Sequence, residues 1–239
     1  MFSDDDVAAL YDRLCPWGGN DRIYDELVMA ADTVLDVGCG TGLMLHHALD
    51  QGHRGRLVGL DPNEASLARA RRRTGVEWVS GVAADAAWDG EFELATMTGN
   101  AFQCFVTDEE LAASLAAIHR SLRPGGLFAF DTRHPQARAW ETWNPGNATD
   151  IAFGSRMLRV SHRVESVVDG VVTMTETTSE DGVTLRVDRA GLRFVEVAEL
   201  GAFLRGAGFE IQSQYGDWDR GPITPASRTI VTITRRQLS

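Results

Sequence analysis

The stretch Val34-Leu35-Asp36-Val37-Gly38-Cys39-Gly40-Thr41-Gly42 constrains this chain more than any other. A short apolar run, read as a buried strand over 33–37, leads straight into glycines at alternate positions. Residues 43–50 then read as a helix closed near Gly52. Glycine reaches backbone angles closed to other residues and lets a ligand approach the main chain. The helix start beyond it presents N–H groups with no intrahelical partner, suited to the anionic end of a ligand. Several glycines weaken a turn unless something requires them, so the turn reads as a binding loop. Its spacing is G-x-G-x-G, whereas a dinucleotide fingerprint is G-x-G-x-x-G. That spacing argues against a nicotinamide oxidoreductase.

The first half keeps alternating strand and helix. Strands are expected at 56–61, 76–81, 92–97 and 127–131, and helices at 63–73 and 107–122. Asn63 is placed to cap one helix, and Thr107 with Glu110 forms a capping box for the other. Pro124-Gly125-Gly126 reads as a turn. Such alternation means βαβ units and a parallel sheet, an α/β fold. Residues 133–150 show no clear period. Three β-rich runs follow, at 157–168, 171–179 and 184–197, joined by Asp169-Gly170 and Asp181-Gly182, both hairpin signals. A helix at 197–207 and two last strands at 210–215 and 229–235 complete a single domain, 1–239, carrying a β-rich insertion at about 150–195.

Composition narrows the function. Arg and Lys total 23 against 34 Asp and Glu, a net charge of −11. Such a field repels a polyanion, which argues against nucleic acid. The Arg71-Arg72-Arg73 run reads as a solvated helix end. No apolar stretch is long enough to cross a membrane, and MFSDDDVAAL has no signal-peptide pattern. Cys15, Cys39 and Cys104 form neither a disulfide framework nor a metal spacing, so no metal is expected. A cytoplasmic protein with reduced thiols follows.

Asp61 stands 19 residues past Gly42, at the end of the second strand. A carboxylate there can accept both hydroxyls of a ribose, because ligands of open α/β sheets bind at those strand ends. With V-L-D-V-G-C-G-T-G, then G-L-D-P-N, then L-R-P-G-G before a strand, the chain resembles the class I S-adenosylmethionine-dependent methyltransferases from about residue 11 to 236.

The resemblance implies a Rossmann-like, mostly parallel seven-stranded sheet with helices on both faces. It also implies an antiparallel last strand and an N-terminal helical lid at 1–31. The implied cofactor is S-adenosyl-L-methionine. The main chain of Gly38, Cys39, Gly40 and Gly42 would line its methionine and ribose part, with Asp36 beneath. Asp61 would hold the ribose, Pro62 would lie by the adenine, and Thr98 and Gly99 would line the sulfonium side. Tyr11 resembles a lid tyrosine. The family often carries Gly-Asp-Ala after strand three, but this chain has Gly81-Val82-Ala83. Asp85, or the main-chain N–H of Ala83 or Ala84, is then left to meet the adenine.

Methyl transfer from a sulfonium is a displacement helped chiefly by positioning, with a base useful for a hydroxyl acceptor. His134 is the first candidate base, and Asn100, Gln103, Asp131 and Arg133 lie just past strands four and five. The loop tryptophans Trp17, Trp140, Trp143 and Trp218 either wall an apolar acceptor pocket or cover the core. The expected activity is transfer to an O or N atom of a small molecule. The alternative is a rearrangement or cyclisation on the same fold.

Overall fold

The computed structural model describes residues 2–18 and 22–237. Two N-terminal helices, α1 (Asp4–Leu14) and α2 (Arg22–Met29), precede β1 (Thr33–Val37). Next come α3 (Leu43–Asp50), β2 (Arg56–Asp61), α4 (Glu64–Ala70), β3 (Glu77–Ser80), β4 (Phe92–Met97), α5 (Asp108–Ser121) and β5 (Leu122–Arg133). A four-stranded block follows, β6 (Thr149–Phe153), β7 (Arg156–Val168), β8 (Val171–Glu180) and β9 (Val183–Arg193). The last elements are α6 (Val197–Gly206), β10 (Phe209–Gly216) and β11 (Thr229–Arg236).

The main sheet has seven strands in the order β10-β11-β5-β4-β1-β2-β3, with only β11 antiparallel to its neighbours. The strand order reverses between β1 and β4, the place where open α/β sheets bind ligands. Both faces of the sheet are covered because side chains alternate along each strand. Val34 and Leu94 meet Tyr24, Val28, Met44 and Leu45 of α2 and α3. Leu35 and Ala95 meet Leu111, Leu115, Leu200 and Leu204 of α5 and α6 on the other face. Each fully buried leucine there contributes about 1.5–3 kcal/mol.

The Asn63 side chain accepts from Ser66 N–H at 3.0 Å, and the Thr107–Glu110 capping box forms. Asp169 and Asp181 take positive φ, as two-residue hairpin turns require. Three differences from the sequence reading have local causes. Pro124-Gly125-Gly126 is no free turn: it lies within β5 as an irregularity between Leu122 and Leu127, where a Cβ on Gly126 would lie 3.1 Å from Phe92 O. β6 is an additional strand, whose short sequence reveals no period until β7 pairs with it. Finally, α2 is core: Tyr24 and Val28 are buried, so this half of the N-terminal segment belongs to the main sheet.

Helix α1 sits differently. Phe2 and Leu10 pack on Leu158 and Val160 of β7, while Asp5 pairs with Arg69 and Arg72 at the end of α4. Asp12 accepts a hydrogen bond from Thr41 Oγ1 in the glycine loop. One helix thereby ties the binding loop to the antiparallel sheet.

Candidate functional site

The glycine loop is fixed by β2. Leu60 O accepts from Gly38 N–H at 2.7 Å and from Cys39 N–H at 3.1 Å. The Asp61 carboxylate accepts from Gly40 N–H at 2.7 Å and from Asn63 N–H at 2.8 Å. A carboxylate offers about four lone-pair positions, so two are left for hydroxyl donors. Burial pushes the Asp61 carboxyl above its usual range, opposed by those two N–H groups.

The three loop glycines answer three different demands. All have positive φ. A Cβ on Gly42 would lie 2.2 Å from the Trp78 indole, and one on Gly38 would lie 3.0 Å from Ala101 Cβ. A Cβ on Gly40 would meet nothing within 4 Å. Gly40 is therefore the position open to a ligand, while Gly42 leaves room for Trp78. Cys39 is buried, which pushes its thiol up, and its sulfur lies beside Gly59.

Below the loop, buried Asp36 accepts from Thr96 Oγ1 at 2.9 Å. Burial raises its carboxyl to about 7; the Thr96 bond opposes this and the charge of Asp61 adds to it. Pro62 is exposed beyond Asp61. After β3, Val82 is 46% exposed and residues 83–85 form a single 3-10 turn. Ala83 is buried and Ala84 partly so, and their N–H groups open that turn; Asp85 is exposed at its far end.

Past β4, Gly99 and Asn100 take consecutive left-handed conformations after Thr98. Tyr11 of α1 reaches this turn, its hydroxyl 3.4 Å from where a Gly99 Cβ would be. The Tyr11 ring is 49% exposed overall, yet desolvation at its hydroxyl end, with Cys15 beside it, holds the phenol above its ordinary value. Asn100 Oδ1 is buried with no hydrogen-bond partner among the described residues.

Past β5, Asp131 accepts from Tyr24 Oη at 2.7 Å and from Asn100 N–H at 2.9 Å. The Gln103 side chain accepts from Arg133 Nη1 at 3.0 Å and donates to Arg193 O at 2.9 Å. The guanidinium of Arg133 lies over the Trp143 ring, 5.3 Å from its centroid. His134 is only 2% exposed, and its Nδ1 accepts from Gln136 N–H at 3.0 Å. That bond caps the turn after β5. Trp17 and Trp218 pack near Tyr24, and Trp140 packs on Phe194. Among the described residues no group of acids, histidines and cysteines is arranged to hold a metal. Among the described residues no helix is long and apolar enough to cross a membrane.

The family described as a methyltransferase domain matches residues 34–126, the span from β1 into β5. A 2-phytyl-1,4-naphtoquinone methyltransferase of Thermosynechococcus vestitus is 33% identical over 158 residues, covering 56% of this chain and 68% of that protein. The chain is a class I S-adenosylmethionine-dependent methyltransferase. A cypemycin N-terminal methyltransferase from a Streptomyces species is 28% identical to it over 86% of this chain and 83% of that protein. An S-adenosylmethionine-bound amino pentose methyltransferase from Micromonospora echinaspora shares its fold, with a TM-score of 0.67 and 23% identity over 98% and 92% of the two chains.

The methyltransferase takes S-adenosylmethionine as its cofactor, and the residues present fit that molecule. Space opens above Gly40, and Asp61 has hydroxyl-accepting capacity left. Tyr24 and Trp78 escaped sequence reasoning. Tyr24 stands 107 residues from Asp131, and no local pattern announces such a contact.

Proposed function

We propose that this methyltransferase alkylates an O or N atom of a small molecule held between the ends of β4 and β5, helix α1 and the antiparallel sheet. The observation that carries the reading is the double attachment of α1. Its Asp12 bonds Thr41 of the cofactor loop, and its apolar face lies on β7. The helix therefore roofs the strand ends, a geometry suited to a compact acceptor.

Gly38, Gly40 and Asp61 hold the nucleoside side of S-adenosylmethionine, with Pro62, Ala83 and Ala84 by the base. Asp85, exposed, is a peripheral contact at most. Asp36, Thr98, Gly99 and Tyr11 surround the sulfonium, which supplies an activated methyl group when bound. Asn100 Oδ1, an acceptor lacking a partner, orients the N–H or O–H of the methyl acceptor. Its turn is fixed by the Asn100 N–H bond to Asp131. His134, with Nδ1 engaged and its ring buried, positions the loop after β5 rather than taking a proton. Rate then comes mainly from alignment of the acceptor with the methyl group.

The partner is a small molecule rather than nucleic acid, in a cytoplasmic setting. Arg71, Arg72 and Arg73 pair with Glu64, Asp5 and Asp50, so that run offers no bare basic stripe. The test is calorimetric titration with S-adenosylmethionine and S-adenosylhomocysteine, followed by an acceptor screen read as S-adenosylhomocysteine release. Micromolar binding with turnover of a small hydroxyl or amine compound is expected. Binding without turnover of any such compound, or turnover only on nucleic acid, would overturn it.

A further inference from the structure

Arg133 closes β5 on the acceptor side of the cleft. Its guanidinium is held at one edge by Gln103 Oε1 and on one face by Trp143. It is partly buried, and burial lowers its basicity; the charge of Asp131 opposes this most, with smaller contributions from Tyr11, Cys15 and Cys104. Among the described residues it makes no ion pair. Buried Arg193, by contrast, meets Asp108 at 2.7 Å and Glu199 at 3.0 Å, and partly buried Arg186 meets Asp188 at 2.7 Å. Asp131 lies two residues back on the same face of β5, but Tyr24 and Asn100 engage its two oxygens.

A cation withdrawn from water without a counter-ion is costly. A planar guanidinium fixed by a stacking ring and one edge contact keeps N–H groups free in a fork that matches a carboxylate. We propose that Arg133 binds a carboxylate of the methyl acceptor, so that the acceptor is a carboxylic acid methylated at a separate N or O atom. This rests on the reading of the cleft given above. The methionine carboxylate of the cofactor shares that chemistry. However, β5 lies two strands from β1, ~10 Å at ordinary strand spacing, and Arg133 is held by Gln103 and Trp143, outside the glycine loop.

The test uses the full chain saturated with S-adenosylhomocysteine. Ligand-observed NMR measures binding of matched pairs: benzoate and benzamide, phenylacetate and phenylacetamide, hexanoate and hexanamide. At least one acid is expected to bind tenfold or more tighter than its amide. Arg133→Met should erase that preference and Arg133→Lys should keep part of it, while calorimetry shows S-adenosylhomocysteine affinity unchanged within twofold. Equal binding of acids and amides, or no binding of either, overturns the inference, and needs no variant to fold. A tenfold loss of S-adenosylhomocysteine affinity in Arg133→Met with the acid preference kept also overturns it, by placing Arg133 on the methionine carboxylate. Failure of the wild type to bind S-adenosylhomocysteine would instead defeat the cofactor reading on which it rests.

Discussion

Replacing Asp61 by Asn tests the cofactor site most directly, because the change is isosteric and removes one charge. In the native protein both carboxylate oxygens accept a main-chain N–H, from Gly40 at 2.7 Å and Asn63 at 2.8 Å. An amide can keep one of these bonds through its oxygen. Its NH2 group then faces the other N–H, donor against donor. Leaving a buried donor unsatisfied costs about 1–3 kcal/mol, so folding stability should fall by about that amount. The ribose side loses one bond to a charged acceptor as well, worth about 1.5–3 kcal/mol. At 1.4 kcal/mol per decade this is a loss of roughly 10- to 150-fold in affinity. Calorimetry with S-adenosylmethionine and S-adenosylhomocysteine reads the second effect, and urea unfolding reads the first. A folded Asp61→Asn protein that binds both within twofold of the wild type would refute the assignment.

Gly40→Val should abolish cofactor binding, since it fills the open position among the three loop glycines and forces a β-branched residue to a φ of 55°; a folded variant that still binds would sink the pocket. Asp85→Ala should leave cofactor affinity within twofold, and a tenfold loss would show that this exposed acid does reach the adenine. Asp36 sets a pH dependence. Its carboxyl is raised from 3.8 to about 7, so between those values the folded state holds a proton that the unfolded state has released. Stability from this group therefore falls as pH rises. Asp36→Asn should gain about 2–3 kcal/mol on the wild type between pH 5 and 7, and parallel stability–pH curves would refute the shift. Asp12→Ala should free α1 from the glycine loop, giving faster hydrogen exchange over residues 4–14 and several-fold faster cofactor release; unchanged exchange would show that Thr41 does not hold the helix.

The parts of this protein that local chemistry dictates are the parts its sequence discloses. The strand-to-glycine turn before α3, the Asn63 and Thr107 caps and the two Asp-Gly hairpins all depend on residues a few positions apart, and all take the expected form. The details of the site depend on distant partners. Gly42 and Gly59 make room for the Trp78 indole, a demand that cannot be seen at either glycine. Tyr24, on a segment expected only to be part of a lid, reaches Asp131 across the sheet. His134 drew attention as a histidine past a strand end, but its environment makes it a turn cap.

The division of labour along the chain has a consequence for how such enzymes diversify. On the proposed reading the cofactor side draws on β1, β2 and β4 with their loops, and one wall of the acceptor cleft is the stretch 149–193, folded as its own antiparallel sheet. Replacing that stretch as a cassette is then expected to retune acceptor choice and to leave the methyl-donor half intact. The seam limits which cassettes are compatible. Gln103 holds Arg133 with its oxygen and the Arg193 carbonyl with its amide nitrogen, so a transplant must present a carbonyl to Gln103 at the same place. Leu158 and Val160 must likewise keep an apolar bed for α1.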